Sequence, residues 1–179
     1  MAILIVVSAI AAVLTSGAAS PVWAASEGER APEVDWAALG SESVALGDLA
    51  GRVVVVDFWA SWCAPCRGQL QALDALLASE AHPDLVVLAV SIDEDAATAR
   101  RYLDERFPRA RFRTAHDPGG AAMADFGASG IPAYYVLDRD GVVRASHFGE
   151  GGADDLGARL APILAEAGGT SAAGDRTVE

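Results

Sequence analysis

Lysine is missing from this chain: all 13 basic residues are arginine, set against 25 acidic ones, for a net charge of −12 at pH 7. That balance argues against nucleic acid as a partner, because phosphate binding is driven largely by basic patches that release counterions. Cysteine is scarce, with only Cys63 and Cys66 among 179 residues. Zinc takes about four ligands, and the three histidines (His82, His116, His147) are scattered without ligand spacing, so no metal site and no cofactor are expected. No internal repeat is present. Long apolar runs are confined to the N-terminus, where Ala2 to Leu14 reads "AILIVVSAIAAVL" and the first charged side chain is Glu27. Val22, Trp23, Ala24 and Ala25 supply the small-residue pattern at which a signal peptidase cuts. Residues 1–25 are therefore expected to be a signal peptide, although the basic start of one is lacking apart from the terminal amine. The alternative is an uncleaved anchor, since a bilayer takes about 20 apolar residues and Ala2 to Ser20 barely supply them. Both readings export the domain. No cysteine follows this segment closely enough to carry a lipid.

What remains has the size and the apolar content (52%) of one domain. "RVVVVDFWA" (Arg52 to Ala60) and "LVVLAVSI" (Leu85 to Ile92) are β-branched runs of the kind buried on both faces of a sheet. Between them, Leu70, Leu73, Leu76 and Leu77 recur at helical spacing from Cys66 to about Ser79. Asp93 or Asp95 can cap a helix over Ala96 to Phe107, which Pro108 ends. "RFRTAH" predicts a short strand, "DPGGAAMADFG" a capped helix, and "AYYVLDRDGVVRASHF" a hairpin turning at Asp140-Gly141. A helix over Ala153 to Glu166 closes the domain, and an edge hairpin over Glu33 to Leu49 precedes it. The arginines from Arg100 to Arg113 read as a solvated face balanced by Asp104 and Glu105, and the histidines as surface or turn residues. The expected domain is 31–167; the tail, 168–179, has nothing apolar to bury and is expected to be disordered. The fold class is α/β, a mixed central sheet flanked by helices, with reactive groups collecting where strands end and helices begin.

Cys63 and Cys66 stand at such a point. A disulfide across three positions closes so small a loop that chain entropy offers only roughly 2 kcal/mol, which geometry can consume. As a staple it achieves little. Thiol-disulfide exchange accounts for the surroundings better. A thiol at the start of a helix lies near unpaired backbone N–H groups and the positive end of the helix dipole, which favours its thiolate. Cys63 is thus the candidate nucleophile, and Cys66, one turn inward, the resolving thiol. The dipole contributes about 0.3–1 kcal/mol, or ~2 when partly buried, enough for a thiol acidic by about one unit.

"VVDFWASWCAPC", followed by "GIP" (Gly130 to Pro132) and a hairpin, resembles the thioredoxin superfamily, and within it the exported TlpA/ResA-like branch, over Ala31 to Glu166. The strand and helix between Ile92 and Asp117 resemble that branch's βα insertion. The resemblance implies a thioredoxin-like fold with an N-terminal hairpin and a redox disulfide between Cys63 and Cys66. Pro132 matches the family's cis-proline, with Ile131 offering backbone groups to an extended substrate and Trp62 flanking the sulfurs as docking surface. Asp57 matches a buried acid that accepts or relays the proton of the second cysteine; burial would raise its pKa. The alternative for Asp57 is an acid that only bonds backbone at a strand end. The family's lysine partner for it is replaced by Ala89, and the proline that commonly kinks the helix by Gln71. Implied partners are cysteine-containing exported proteins and a membrane electron donor, with the chain acting as a reductant of the cytochrome c maturation or copper-site assembly type. The other function class is a thioredoxin-fold binding module that docks unfolded or metal-loading partners without turnover.

Overall fold

The computed structural model describes residues 25–39, 42–79, 82–152 and 154–166. The signal or anchor segment, apart from its last residue, and the C-terminal tail fall outside these. A hairpin of β1 (Asp35–Ala38) and β2 (Val44–Ala45) comes first, followed by a 3-10 turn, Leu46–Leu49. Then come β3 (Val53–Trp59), α1 (Ala64–Ser79), β4 (Leu85–Ser91), α2 (Ala96–Arg106), β5 (Arg113–His116), α3 (Ala121–Asp125), β6 (Ala133–Leu137), β7 (Val143–Phe148) and α4 (Leu156–Ala165). They form one mixed sheet in the order β2-β1-β5-β4-β3-β6-β7. β3, β4 and β5 run parallel, and the remaining pairs are antiparallel. The inserted α2 and β5 are accommodated by placing β5 between β4 and the N-terminal hairpin. No helix among the described residues is long and apolar enough to cross a membrane.

β3 is buried along its whole length because it lies in the middle of the sheet with helices or loops on both faces. Its alternation sorts the core. Val53, Val55 and Trp59 pack with Leu70 and Leu73 of α1, Leu103 of α2 and Leu160 of α4. Val54, Val56 and Phe58 face the other layer, with Trp36, Phe126 and Tyr135. Asp57 falls in the first register, so period-two geometry sends its side chain under α1.

Several expectations are corrected. α3 is five residues long because Pro118, Gly119 and Gly120 form a turn, both glycines at positive φ (77° and 71°), and Asp117 then accepts from Ala122 N (3.1 Å) and Met123 N (2.9 Å). α4 begins at Leu156, not Ala153, after a turn in which Asp154 N donates to Gly151 O (3.2 Å). β5 begins at Arg113 because the N–H of Arg111 is taken by Asp74 Oδ1 on α1 (2.9 Å). Of the two candidate caps for α2, Asp95 is the one used, accepting from Ala97 N and Thr98 N. His116 is not a surface residue: it is buried in β5, its Nε2 lying 2.6 Å from Asp93 O. The arginine face on α2 is solvated as expected, with Arg100 paired to Asp104 at 3.1 Å.

Candidate active site

The turn from β3 into α1 brings the two sulfurs to the helix start. Helix α1 begins at Ala64, which makes Cys63 its N-cap. Cys66 N donates to Cys63 Sγ at 3.2 Å, the bond an N-cap side chain normally accepts from the third helical residue. Pro65, in the first turn, has no N–H to leave unpaired. The helix then runs unbroken for 16 residues, Gly68 and Gln71 included. Cys63 and Cys66 are joined as a disulfide with Cα atoms 5.3 Å apart. Cys66 is 1% exposed and Cys63 6%, so what surface the pair offers belongs mainly to Cys63.

Asp57 is fully buried on β3, paired in the sheet with Ala89, where a lysine would otherwise be sought. Gln69 Nε2 donates to its Oδ1, and no donor reaches Oδ2 among the described residues. Burial pushes the Asp57 carboxyl up to about 8, with the Gln69 amide pulling the other way. Because Gln69 lies three residues after Cys66 on the same helix face, the acid sits beneath the second sulfur's turn. Its side-chain bond runs to Gln69, and none to backbone is made among the described residues.

Pro132 is buried, and the Ile131–Pro132 peptide bond is cis. Pro132 lines one cleft with Pro65, Gly68 and Gln69, completed by Glu150, Gly151 and Asp154 from the segment between β7 and α4. Ile131 is half-buried and touches both core layers. Trp62 is 69% exposed. The structure thus gathers Cys63, Cys66, Trp62, Ile131, Pro132 and Asp57 around the end of β3.

Two residues at this end, Gln69 and Phe148, escape the sequence reading, and a third, Asp93, enters it only as a candidate helix cap. Gln69 carries a signal that could have been used, since an amide on the buried face of an apolar helix requires a polar partner. Asp93 turns away from α2 toward Ser61, accepting from its N–H at 2.9 Å and its hydroxyl at 2.7 Å. Phe148 is 53% exposed at the end of β7, paired with Ala133 directly after Pro132, and Gly149 N donates to Pro132 O (2.8 Å). Nothing local in the sequence separates it from a core aromatic.

The Redoxin family matches residues 26–159. The thioredoxin-like protein YneN of Bacillus subtilis is 32% identical over 126 residues, covering 69% of this chain and 72% of that one. The thiol-disulfide oxidoreductase ResA of Bacillus anthracis is 25% identical over 123 residues, 69% and 70% of the two chains. A crystal structure from Chlorobium tepidum, described as a thiol:disulfide interchange protein DsbE, superposes with a TM-score of 0.72 at 32% identity, covering 78% of this chain and 98% of that one.

Proposed function

The chain belongs to the Redoxin family as a thioredoxin-fold, TlpA/ResA-like thiol-disulfide oxidoreductase, and from that premise we propose that it works outside the cytoplasm as a reductant of disulfides in exported proteins. The single observation that carries this reading is the N-cap geometry: the amide of Cys66 aimed at Cys63 Sγ, 3.2 Å away, in a helix start that favours negative charge on that sulfur. The Cys63 thiolate attacks a substrate disulfide, forming a mixed disulfide and releasing one substrate thiolate, which takes up a proton. Asp57, whose raised pKa brings its basicity close to that of a thiolate while leaving a minor ionised fraction near neutrality, accepts the proton of Cys66 from that ionised form. The Cys66 thiolate then attacks Cys63 Sγ and expels the second substrate thiolate. Two electrons have passed from the dithiol to the substrate. A membrane-bound dithiol donor restores the starting state.

Trp62, Ile131 and Pro132 serve as the docking surface, the backbone at Ile131 pairing with an extended substrate segment. The reductive direction is supported by modest thiolate stabilisation, from a helix start and one amide, with an Ala-Pro spacer that adds no cation. The apolar segment at 1–25 supports export by signal cleavage or by tethering, and such a domain would prepare cysteines for haem attachment or copper-site assembly.

Two measurements test this. A Cys66→Ala variant, incubated with a disulfide-bonded peptide, should accumulate a mixed disulfide that dithiothreitol releases, and Cys63→Ala should form none. Equilibration of the parent with glutathione should place its midpoint nearer the thioredoxin end than the DsbA end of a scale running from about −270 to about −120 mV. A value at the DsbA end overturns the reductive assignment, and failure of Cys66→Ala to trap peptide overturns exchange altogether.

A further inference from the structure

Asp93 caps no helix and joins no ion pair among the described residues. It follows β4 by two residues, is 4% exposed, and sends its carboxylate back to the turn that carries the sulfurs. Oδ2 accepts from Ser61 N (2.9 Å) and Ser91 Oγ (2.8 Å), and Oδ1 from Ser61 Oγ (2.7 Å). Its own N–H donates to Ser91 Oγ at 3.1 Å. Its carbonyl oxygen lies 2.6 Å from His116 Nε2, which must carry the proton because a carbonyl only accepts. Around this acid, Ile92 N donates to Trp59 O (2.9 Å), Cys63 N to Ala60 O (3.0 Å) and Asp117 N to Ser91 O (2.8 Å). The ends of β4 and β5 are thereby knitted together, and the segment from Trp59 to Cys63 is tied down onto them.

We propose that Asp93 is a positioning residue for Cys63, holding through Ser61 the turn on which that sulfur stands so that Cys66 can close onto it. The inference rests on the exchange reading above and adds to it a residue outside the sulfur motif. Two arguments carry it. A buried carboxylate must have its acceptor sites filled, and here neutral donors fill them. If Ser61 moved away, two of the three bonds to the carboxylate would be lost at once, so the turn is held by the cost of leaving as well as by the bonds themselves. Closing the disulfide is a ring closure, whose equilibrium constant reports how well the two sulfurs are held within reach.

The glutathione equilibrium reads this directly: the Cys63–Cys66 disulfide plus two glutathione thiols gives the protein dithiol plus glutathione disulfide, two electrons moving to the protein. Parent, Asp93→Ala and Ser61→Ala are compared at pH 7. The constant for forming the protein disulfide should fall about tenfold in Asp93→Ala, equivalent to about 30 mV. It should fall about threefold in Ser61→Ala, which removes one hydrogen bond and opens no core cavity. If Asp93→Ala does not fold, Ser61→Ala decides alone. A merely structural role would lower the melting temperatures of the oxidised and reduced forms together and leave the constant unmoved. Constants within about twofold of the parent overturn the proposal while the exchange reading stands, whereas a parent that does not equilibrate with glutathione removes that reading and this proposal with it.

Discussion

Asp57 holds a position that stability alone would not choose. Its folded-state pKa of about 8 lies above the ordinary carboxylate value of 3.8. Between those pH values the native protein keeps a proton that the unfolded chain has released, so stability falls as pH rises through this window and levels off above about pH 8. Each unit is worth ~1.4 kcal/mol, so the accumulated penalty reaches several kcal/mol. Asp57→Asn keeps the shape and removes the charge. In the oxidised protein, where no thiol titrates, the variant should be nearly as stable as the parent at about pH 4 and increasingly more stable up to about pH 8, as read by urea unfolding across the series. A stability gain that does not change with pH would show that burial of charge is not its origin. On the proposed role of Asp57 as proton acceptor for Cys66, the same variant should release mixed disulfides more slowly, by up to about a hundredfold at neutral pH. Gain in stability together with loss of turnover is the signature of a group retained for chemistry. The acid was legible in the sequence as part of a motif. Its pairing with Gln69 was not: an amide on the buried face of α1 signals that some polar partner is needed, but which one depends on how α1 lies across β3, which no local pattern encodes.

Strand and helix were legible for the opposite reason: runs such as Val53–Val56 and the leucine spacing of α1 are local. Turns made by paired glycines and pairings between distant segments were not. The brevity of α3 follows from backbone conformations at Gly119 and Gly120, and the pairing of β1 with β5 joins segments over 70 residues apart. The segment between β7 and α4 is of the same kind. It forms one wall of the cleft beside Pro132, and its shape depends on Gly152. A Cβ there would lie 2.5 Å from His147 Cδ2 and 2.8 Å from Tyr134 Cε1, both atoms of stacked rings whose centroids are 5.7 Å apart. Tyr134 is fully buried, so relief must come from His147, whose Nε2 would have to leave Glu150 O, 3.1 Å away. Gly152→Ala should therefore cost about 1–3 kcal/mol, seen as a lowered denaturation midpoint with an unchanged slope. A loss below ~0.5 kcal/mol would mean that this wall yields easily and does not fix the cleft.

The molecule as a whole approaches its substrates with a charge of −12. Glu150 and Asp154 line the cleft beside Pro132 and form no ion pair among the described residues, while the one cation on the first turn of α1, Arg67, is turned to α2, bonded to the Tyr102 hydroxyl at 3.2 Å. Close to Cys63 the signs are mixed, so preference between charged disulfides turns on the long-range field. That field reaches about 30 Å at 10 mM ionic strength and only a few ångströms at about 0.5 M. The reduced protein should thus attack cystamine, a dication, faster at low salt and slower at high salt, and glutathione disulfide, an anion, the other way round. Intrinsic reactivities differ between the two reagents, so their ratio at one salt concentration decides nothing; its change with salt does. We expect the cystamine-to-glutathione rate ratio, followed by stopped flow, to drop at least about threefold between those two ionic strengths. A flat ratio would mean that Arg67 cancels the molecular field at the sulfur, and choice of substrate would then rest on the apolar contacts offered by Trp62 and Phe148, the two large hydrophobic side chains left exposed among the described residues.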